Sequence, residues 1–167
     1  MELPIAMLAC ARIGAVHSVV FAGFSSEALA QRLLGSAAKV VLTCSAVMRG
    51  SKHINLKAVV DEACDSSAEK GHKIEHCLCF MNERLDVEGF LTTSRDEHWQ
   101  QAVHAQSMEC TTEWVDAEHP LFMLYTSGST GSPKGVLHTT GGYMVYAGAT
   151  CASVFNMQQG DIFWCTA

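Results

Sequence analysis

The chain has 167 residues, a net charge of −6, eight cysteines and an apolar content of 49%. That length suits one domain with its own core, and the acidic balance argues against a nucleic-acid binder working through a basic stripe. The longest uncharged stretch, Gly135 to Gly160, is too rich in Gly, Thr, Ser, Asn and Gln to read as a membrane span. Glu2, Pro4 and Arg12 are unlike a secretion signal, and the cysteine spacings are irregular. The cysteines are therefore expected to be reduced and mostly buried, in a cytoplasmic protein.

Taken in order, Glu2 to Ile13 places Leu3, Ala6, Met7, Cys10 and Ile13 at helical spacing, with Gly14 as the C-cap. Val16 to Phe21 reads as a buried strand. Ser25 or Ser26 caps a helix through Leu34, with Glu27 in its first turn. Val40 to Thr43 reads as a second strand, and Ile54 to Cys64 as a helix with Leu56, Val59, Val60 and Ala63 inward. Cys77 to Met81 is a third strand. The alternation predicts an α/β fold, a partial, mostly parallel sheet with covering helices. Residues 82–118 are the least regular part, expected to be an insertion over the surface with one helix around Glu97 to Ala105. Leu121 to Tyr125 returns to the sheet, Val136 to His138 forms a short strand, Gly142 to Val154 a helix, and Ile162 to Thr166 a last strand.

The densest chemistry follows Tyr125. Gly128, Gly131 and Gly135 can leave backbone N–H groups open to a ligand, while Thr126, Ser127, Ser129 and Thr130 add short hydrogen-bond donors. Lys134 contributes a cation with no acid between Glu118 and Asp161 to cancel it. Bare amides, hydroxyls and one cation suit a polyphosphate. This is no Walker loop, because Pro133 precedes the lysine, Gly135 follows it, and the next residues read as strand rather than helix. The plainer alternative is a surface hairpin without a ligand, although such hairpins use about two to five turn residues.

Three further constellations stand out. Arg49, Lys52 and Lys57 cluster in a loop and the start of a helix, either as a solvated basic turn or as an anion site. Phe21-Ala22-Gly23-Phe24-Ser25 sits at a strand-to-helix junction, where the plain reading is a core Phe beside a helix-capping Ser. His72, His76, Cys77 and Cys79 resemble a metal cluster, but on a strand the two thiols share one face and His76 points the other way, so no metal site is assigned. The acidic pairs Asp61-Glu62 and Asp116/Glu118 are assigned no chemistry.

The stretch Thr126-Ser127-Gly128-Ser129-Thr130-Gly131-Ser132-Pro133-Lys134-Gly135, followed by His138-Thr139 and Gly141-Gly142-Tyr143, resembles the phosphate loop of the adenylate-forming enzymes. With its flanks, Trp114 to Tyr125 and Asp161 to Ala167, it is most similar to the AMP-forming acetate–CoA ligases. The resemblance runs nearly end to end, more weakly over Cys64 to Glu113. It implies that residues 1–167 are part of one AMP-binding N-terminal domain, roughly a quarter of such a polypeptide, cut at both ends and lacking the C-terminal domain. It implies the reaction ATP + acetate + CoA to acetyl-CoA + AMP + diphosphate, with Mg2+ accompanying ATP. Thr126, Ser127, Gly128, Ser129, Thr130, Gly131 and Lys134 would hold the ATP phosphates, none as a nucleophile or base. Arg49, Gly50, Ser51 and Lys52 would hold the coenzyme A phosphates, and Phe21 and Gly23 would lie near its adenine. Ser51 and Lys52 depart from the commonest form of that segment, and lysine lacks the bidentate fork of arginine. The partners implied are small molecules, with no nucleic acid or membrane, in the cytoplasm or alternatively the mitochondrial matrix. Two other readings remain: a non-catalytic fragment or interaction module, and a redox or zinc protein built on the cysteines.

Overall fold

A computed structural model describes residues 1–85, 91–127 and 133–164. Its centre is a strand–helix–strand unit. Helix α1 (Glu2–Arg12) precedes it and turns at Gly14, whose φ of +68° suits a residue without Cβ. Helix α2 (Ser26–Ser36) is capped by Ser25, whose Oγ accepts from the Ala28 amide at 3.3 Å. Strand β1 (Val40–Cys44) follows, then a small antiparallel hairpin of β2 (Val47–Arg49) and β3 (Lys52–Ile54). Helix α3 (Leu56–Glu69) is capped by Asn55 and leads to β4 (His76–Phe80), which runs parallel to β1 from Val40 opposite His76 to Cys44 opposite Phe80.

Helices α2 and α3 cover one face of this pair. Ala30 and Leu33 of α2, Val60, Ala63 and Cys64 of α3, Val41, Ile74 and Cys77 form the core. Period-two alternation puts Cys77 and Cys79 on that covered side, both fully buried, and burial pushes each thiol up to about 12. Seven described cysteines are free thiols.

Several expectations are corrected. Residues 16–21 do not form a strand: only His17 bridges β6 (Pro120–Thr126), opposite Phe122, while Val16 and Phe21 are exposed. Within residues 82–118 the helix is α4 (Trp99–His104), but the segment also supplies β5 (Asp96–His98), which pairs in parallel with β4 and completes the order β1-β4-β5. Three residues of Asp-Glu-His carry no strand signal; what places them is the tether of Asp96 to α3 described below. Strand β6 does not rejoin the parallel sheet; it pairs antiparallel with β7 (Lys134–Thr139) as a separate two-stranded sheet. Helix α5 (Thr140–Ser153) follows directly, and residues 161–164 are not strand. Cys165, Thr166 and Ala167 lie outside the described residues.

Gly141 explains how α5 meets the rest. A Cβ there would lie 2.8 Å from that of Ala117, and its amide donates to the Ala117 carbonyl at 2.8 Å. The faces of α1 and α5 remain open, with Leu3, Leu8, Val145 and Tyr146 among the exposed side chains. No helix among the described residues is long and apolar enough to cross a membrane.

Candidate functional site

The expected strand–loop–strand around the glycine-rich stretch is a hairpin. Thr126 stands opposite Lys134 and Tyr125 opposite Gly135, so the ladder ends where the loop begins. Thr126 Oγ1 donates to the Lys134 carbonyl at 3.5 Å, holding the two rims together. Thr126, Ser127 and Lys134 are exposed, and Lys134 has no ion pair among the described residues, so a cation and two hydroxyls stand at the loop mouth. Gly128, Ser129, Thr130 and Gly131, the other expected phosphate ligands, lie outside the described residues. Gly135 packs closely under its neighbours: a Cβ there would stand 2.8 Å from Met123 Sδ and 3.3 Å from Tyr125 Cε1, so the flexible methionine would have to shift. On the far side of the hairpin Phe122 stacks on His138, centroids 4.6 Å apart, and meets the edge of Tyr143 at 5.0 Å. The His138 and Tyr143 of the motif are therefore part of the small apolar layer that seats α5 on β6–β7.

The second group of expected residues converges although its parts are distant in sequence. Gly23, Phe24, Arg49, Lys52 and His53 line a cleft of about 360 Å³, and Phe21, Gly23, Val47 and Met48 line an adjoining one of about 610 Å³. The β2–β3 hairpin presents the cations. Arg49 pairs with Lys52 across the turn Gly50-Ser51, and Gly50 at φ +62° is the first central residue of that turn. The requirement for glycine here is conformational, since a Cβ would meet nothing within 4 Å. At Gly23 the requirement is space: a Cβ would stand 2.8 Å from Arg49 Nη1. Phe21 is 79% exposed and touches Phe24 edge-on at 6.3 Å, which removes the reading of Phe21 as core; Ser25 does cap the helix, as that reading held. His53 joins the cleft without having been expected there.

One expected cation moves away. Lys57 faces inward from the first turn of α3, 1% exposed, with Nζ 2.7 Å from Asp61 and 3.0 Å from Asp96. Asp96 in turn accepts from the Thr92 and Thr93 amides, each at 2.8 Å, and Arg95 reaches Asp61 at 3.1 Å. Asp61, assigned no role from sequence, thus anchors the segment carrying β5. The His–Cys constellation is likewise accounted for by other partners. His72 Nε2 meets the Ala38 carbonyl at 2.7 Å and His76 Nδ1 meets Glu97 at 2.8 Å, while the thiols point into the core.

Sequence reasoning also passed over Arg32 and Tyr125, which connect the two sites. Arg32 lies between Phe24 and Tyr125, its guanidinium carbon 4.3 Å and 5.6 Å from the ring centroids. The only signal in the sequence is a charged residue on the apolar stripe of α2, three residues from Leu29 and next to Leu33.

The AMP-binding enzyme family matches residues 1–167. The acetyl-coenzyme A synthetase (chloroplastic/glyoxysomal) of Arabidopsis thaliana is 56% identical over 169 residues, which cover all of this chain and 23% of that protein. The acetyl-coenzyme A synthetase of Drosophila melanogaster is 49% identical over all of this chain and 26% of its own length. The chain therefore spans about a quarter of the length of the curated relatives it matches. Among solved structures, an acetoacetyl-CoA synthetase from Streptomyces lividans superposes with a TM-score of 0.80 at 22% identity, over 96% of this chain and 23% of that one, which shows a shared fold.

Proposed function

The chain belongs to the AMP-binding enzyme family, and we propose that it carries the ATP phosphate loop and part of the coenzyme A entrance of an AMP-forming acetate–CoA ligase. The observation that supports this best is the cleft, where Phe21–Phe24 and Arg49–Lys52, both singled out for coenzyme A, meet through the contact of Gly23 with Arg49. In the first step acetate attacks the α-phosphorus of MgATP, giving acetyl-adenylate and diphosphate. Magnesium enters with the nucleotide as part of the substrate. Lys134 and the hydroxyls of Thr126, Ser127, Ser129 and Thr130, with the amides at Gly128 and Gly131, hold the β- and γ-phosphates while charge moves onto the leaving diphosphate. In the second step the coenzyme A thiol displaces AMP, with Arg49 and Lys52 on the coenzyme A phosphates, the Gly50-Ser51 turn shaping the approach and Phe21 beside the purine. No residue here is assigned as nucleophile or base; the contribution is orientation and charge neutralisation.

On this reading the 167 residues are part of one N-terminal AMP-binding domain, in which residues 82–118 insert over the surface and return β5 to the sheet. Free thiols are compatible with the cytoplasm or the mitochondrial matrix. A second reading, a non-catalytic binding piece, draws on the exposed apolar faces of α1 and α5. The two separate in a chimera in which these residues replace the matching stretch of the Arabidopsis relative, assayed for acetate-dependent diphosphate release. The ligase reading expects turnover there and none from the 167-residue chain alone. Within the chimera, Lys134→Ala with Gly131→Val should depress ATP–diphosphate exchange. Arg49→Ala with Lys52→Ala should spare adenylate formation and slow thioester formation, at roughly 1.5–3 kcal/mol for each charge-assisted hydrogen bond removed. An inactive but folded chimera, or equal loss in both half-reactions, counts against the assignment.

A further inference from the structure

We infer that Arg32 is a positioning residue shared by the two candidate sites, its guanidinium holding the strand end that launches the phosphate loop against the aromatic wall of the basic cleft. What occupies the two sites rests on the function proposed above; the contact itself does not.

Arg32 is 8% exposed, and among the described residues no carboxylate pairs with it. Its Nη1 donates to the Ala28 carbonyl on its own helix. What faces the guanidinium is aromatic: Phe24 at 4.3 Å and Tyr125 at 5.6 Å, both within the roughly 6 Å over which a ring face attracts a cation. Burying a cation without an acid is costly, and a leucine or methionine would fill the same space at lower cost if filling were all that mattered. A flat, delocalised cation can instead address two rings at once, which an ammonium on a flexible stem does poorly. Lys57, the other buried cation, shows the contrast, since two carboxylates neutralise it and it faces neither site.

The two rings belong to the two sites. Phe24 lines both clefts. Tyr125 is followed by Thr126, the last ladder residue before the loop. Tyr125 is seated on α2 in two further ways: its hydroxyl donates to the Arg32 carbonyl at 3.4 Å, and Gly35 leaves room for it, a Cβ there falling 2.7 Å from the hydroxyl. Helix α2 thus fixes the hairpin end from one side of Arg32 and the cleft wall from the other.

The test uses the ligand-free 167-residue chain, with the Thr126 and Ser127 amide signals followed by NMR in a double-mutant cycle. Phe24→Ala should move these signals when Arg32 is present and leave them in place in the Arg32→Met background. An equal response in both backgrounds overturns the inference. Arg32→Lys, which keeps the charge and loses the plane, should retain part of the response, and it carries the cycle if the methionine variant fails to melt cooperatively.

Discussion

Replacing Lys57 with methionine should be among the most destabilising single changes in the chain, and its effect should depend on pH in a defined direction. The ammonium is 1% exposed and sits between Asp61, at 2.7 Å, and the fully buried Asp96, at 3.0 Å. Methionine matches its length and keeps the packing, so the loss is electrostatic. It leaves Asp96 buried with the Thr92 and Thr93 amides and a long 3.5 Å contact from the Thr92 hydroxyl to satisfy it. Removing one member of a buried ion pair costs about 3–5 kcal/mol, against a total stability of about 5–15 kcal/mol for an ordinary domain. Burial raises the Asp96 carboxyl, but the Lys57 ammonium and the Thr93 and Thr92 amides together overcome it, and the carboxyl lies below its ordinary value of 3.8. A lowered folded value means stability that is present above the ordinary value and is lost as pH falls through the folded one. The wild-type contribution should therefore persist until the pH drops below about 4. Without Lys57, burial dominates, Asp96 takes up a proton more readily, and the mutant's deficit should shrink as the pH is lowered from neutrality. Lys57 itself is held above 10.5 by the same two carboxylates against the opposing effect of burial, so its contribution is complete below that value and lost as pH rises through the folded one. Urea unfolding followed by circular dichroism at a series of pH values measures all of this. A deficit under about 1 kcal/mol, or one that does not change with pH, would refute the reasoning.

Three other outcomes are expected. Gly35→Ala should destabilise by about 1–3 kcal/mol through the clash with the Tyr125 hydroxyl, outweighing its better helix propensity, and in a Tyr125→Phe background the same change should become neutral or stabilising; thermal melts of the four proteins decide it. Gly23→Ala should leave the melting temperature nearly unchanged, because the Arg49 side chain it meets is flexible; with coenzyme A in the cleft as proposed, it should weaken that ligand by displacing the guanidinium, and calorimetric titration showing undiminished affinity would count against the proposed occupant. Iodoacetamide at mildly alkaline pH should label the exposed Cys110 and Cys151 quickly and spare Cys77 and Cys79, whose thiols burial pushes up to about 12; peptide mass spectrometry reads the order directly.

Local chemistry was enough to locate what depends on neighbours in sequence. Ser25 and Gly14 mark helix ends because capping and a positive φ are properties of a few consecutive residues. The β1–α3–β4 unit was legible because its apolar residues recur with the period of each element, and the glycine-rich hairpin because glycine, hydroxyl and lysine are dense within one loop. Tertiary structure alone decided the rest. Asp96–His98 became a strand because Asp96 is held by Lys57, nearly forty residues earlier, and no window of local sequence contains that pair. Residues 16–21 have strand composition but find only one bridging partner, since pairing requires a neighbour with free backbone groups and composition cannot supply one. Lys57 and Asp61 read as one more i,i+4 pair on a helix until Asp96 is brought against the ammonium and the segment around it buries the lysine. Arg32 reads as a helix residue until folding sets Phe24 on one side of it and Tyr125 on the other. Periodicity reports which side of an element is buried; it carries no information about which distant side chain waits there, and in this chain that distant partner sets the role of each buried charge.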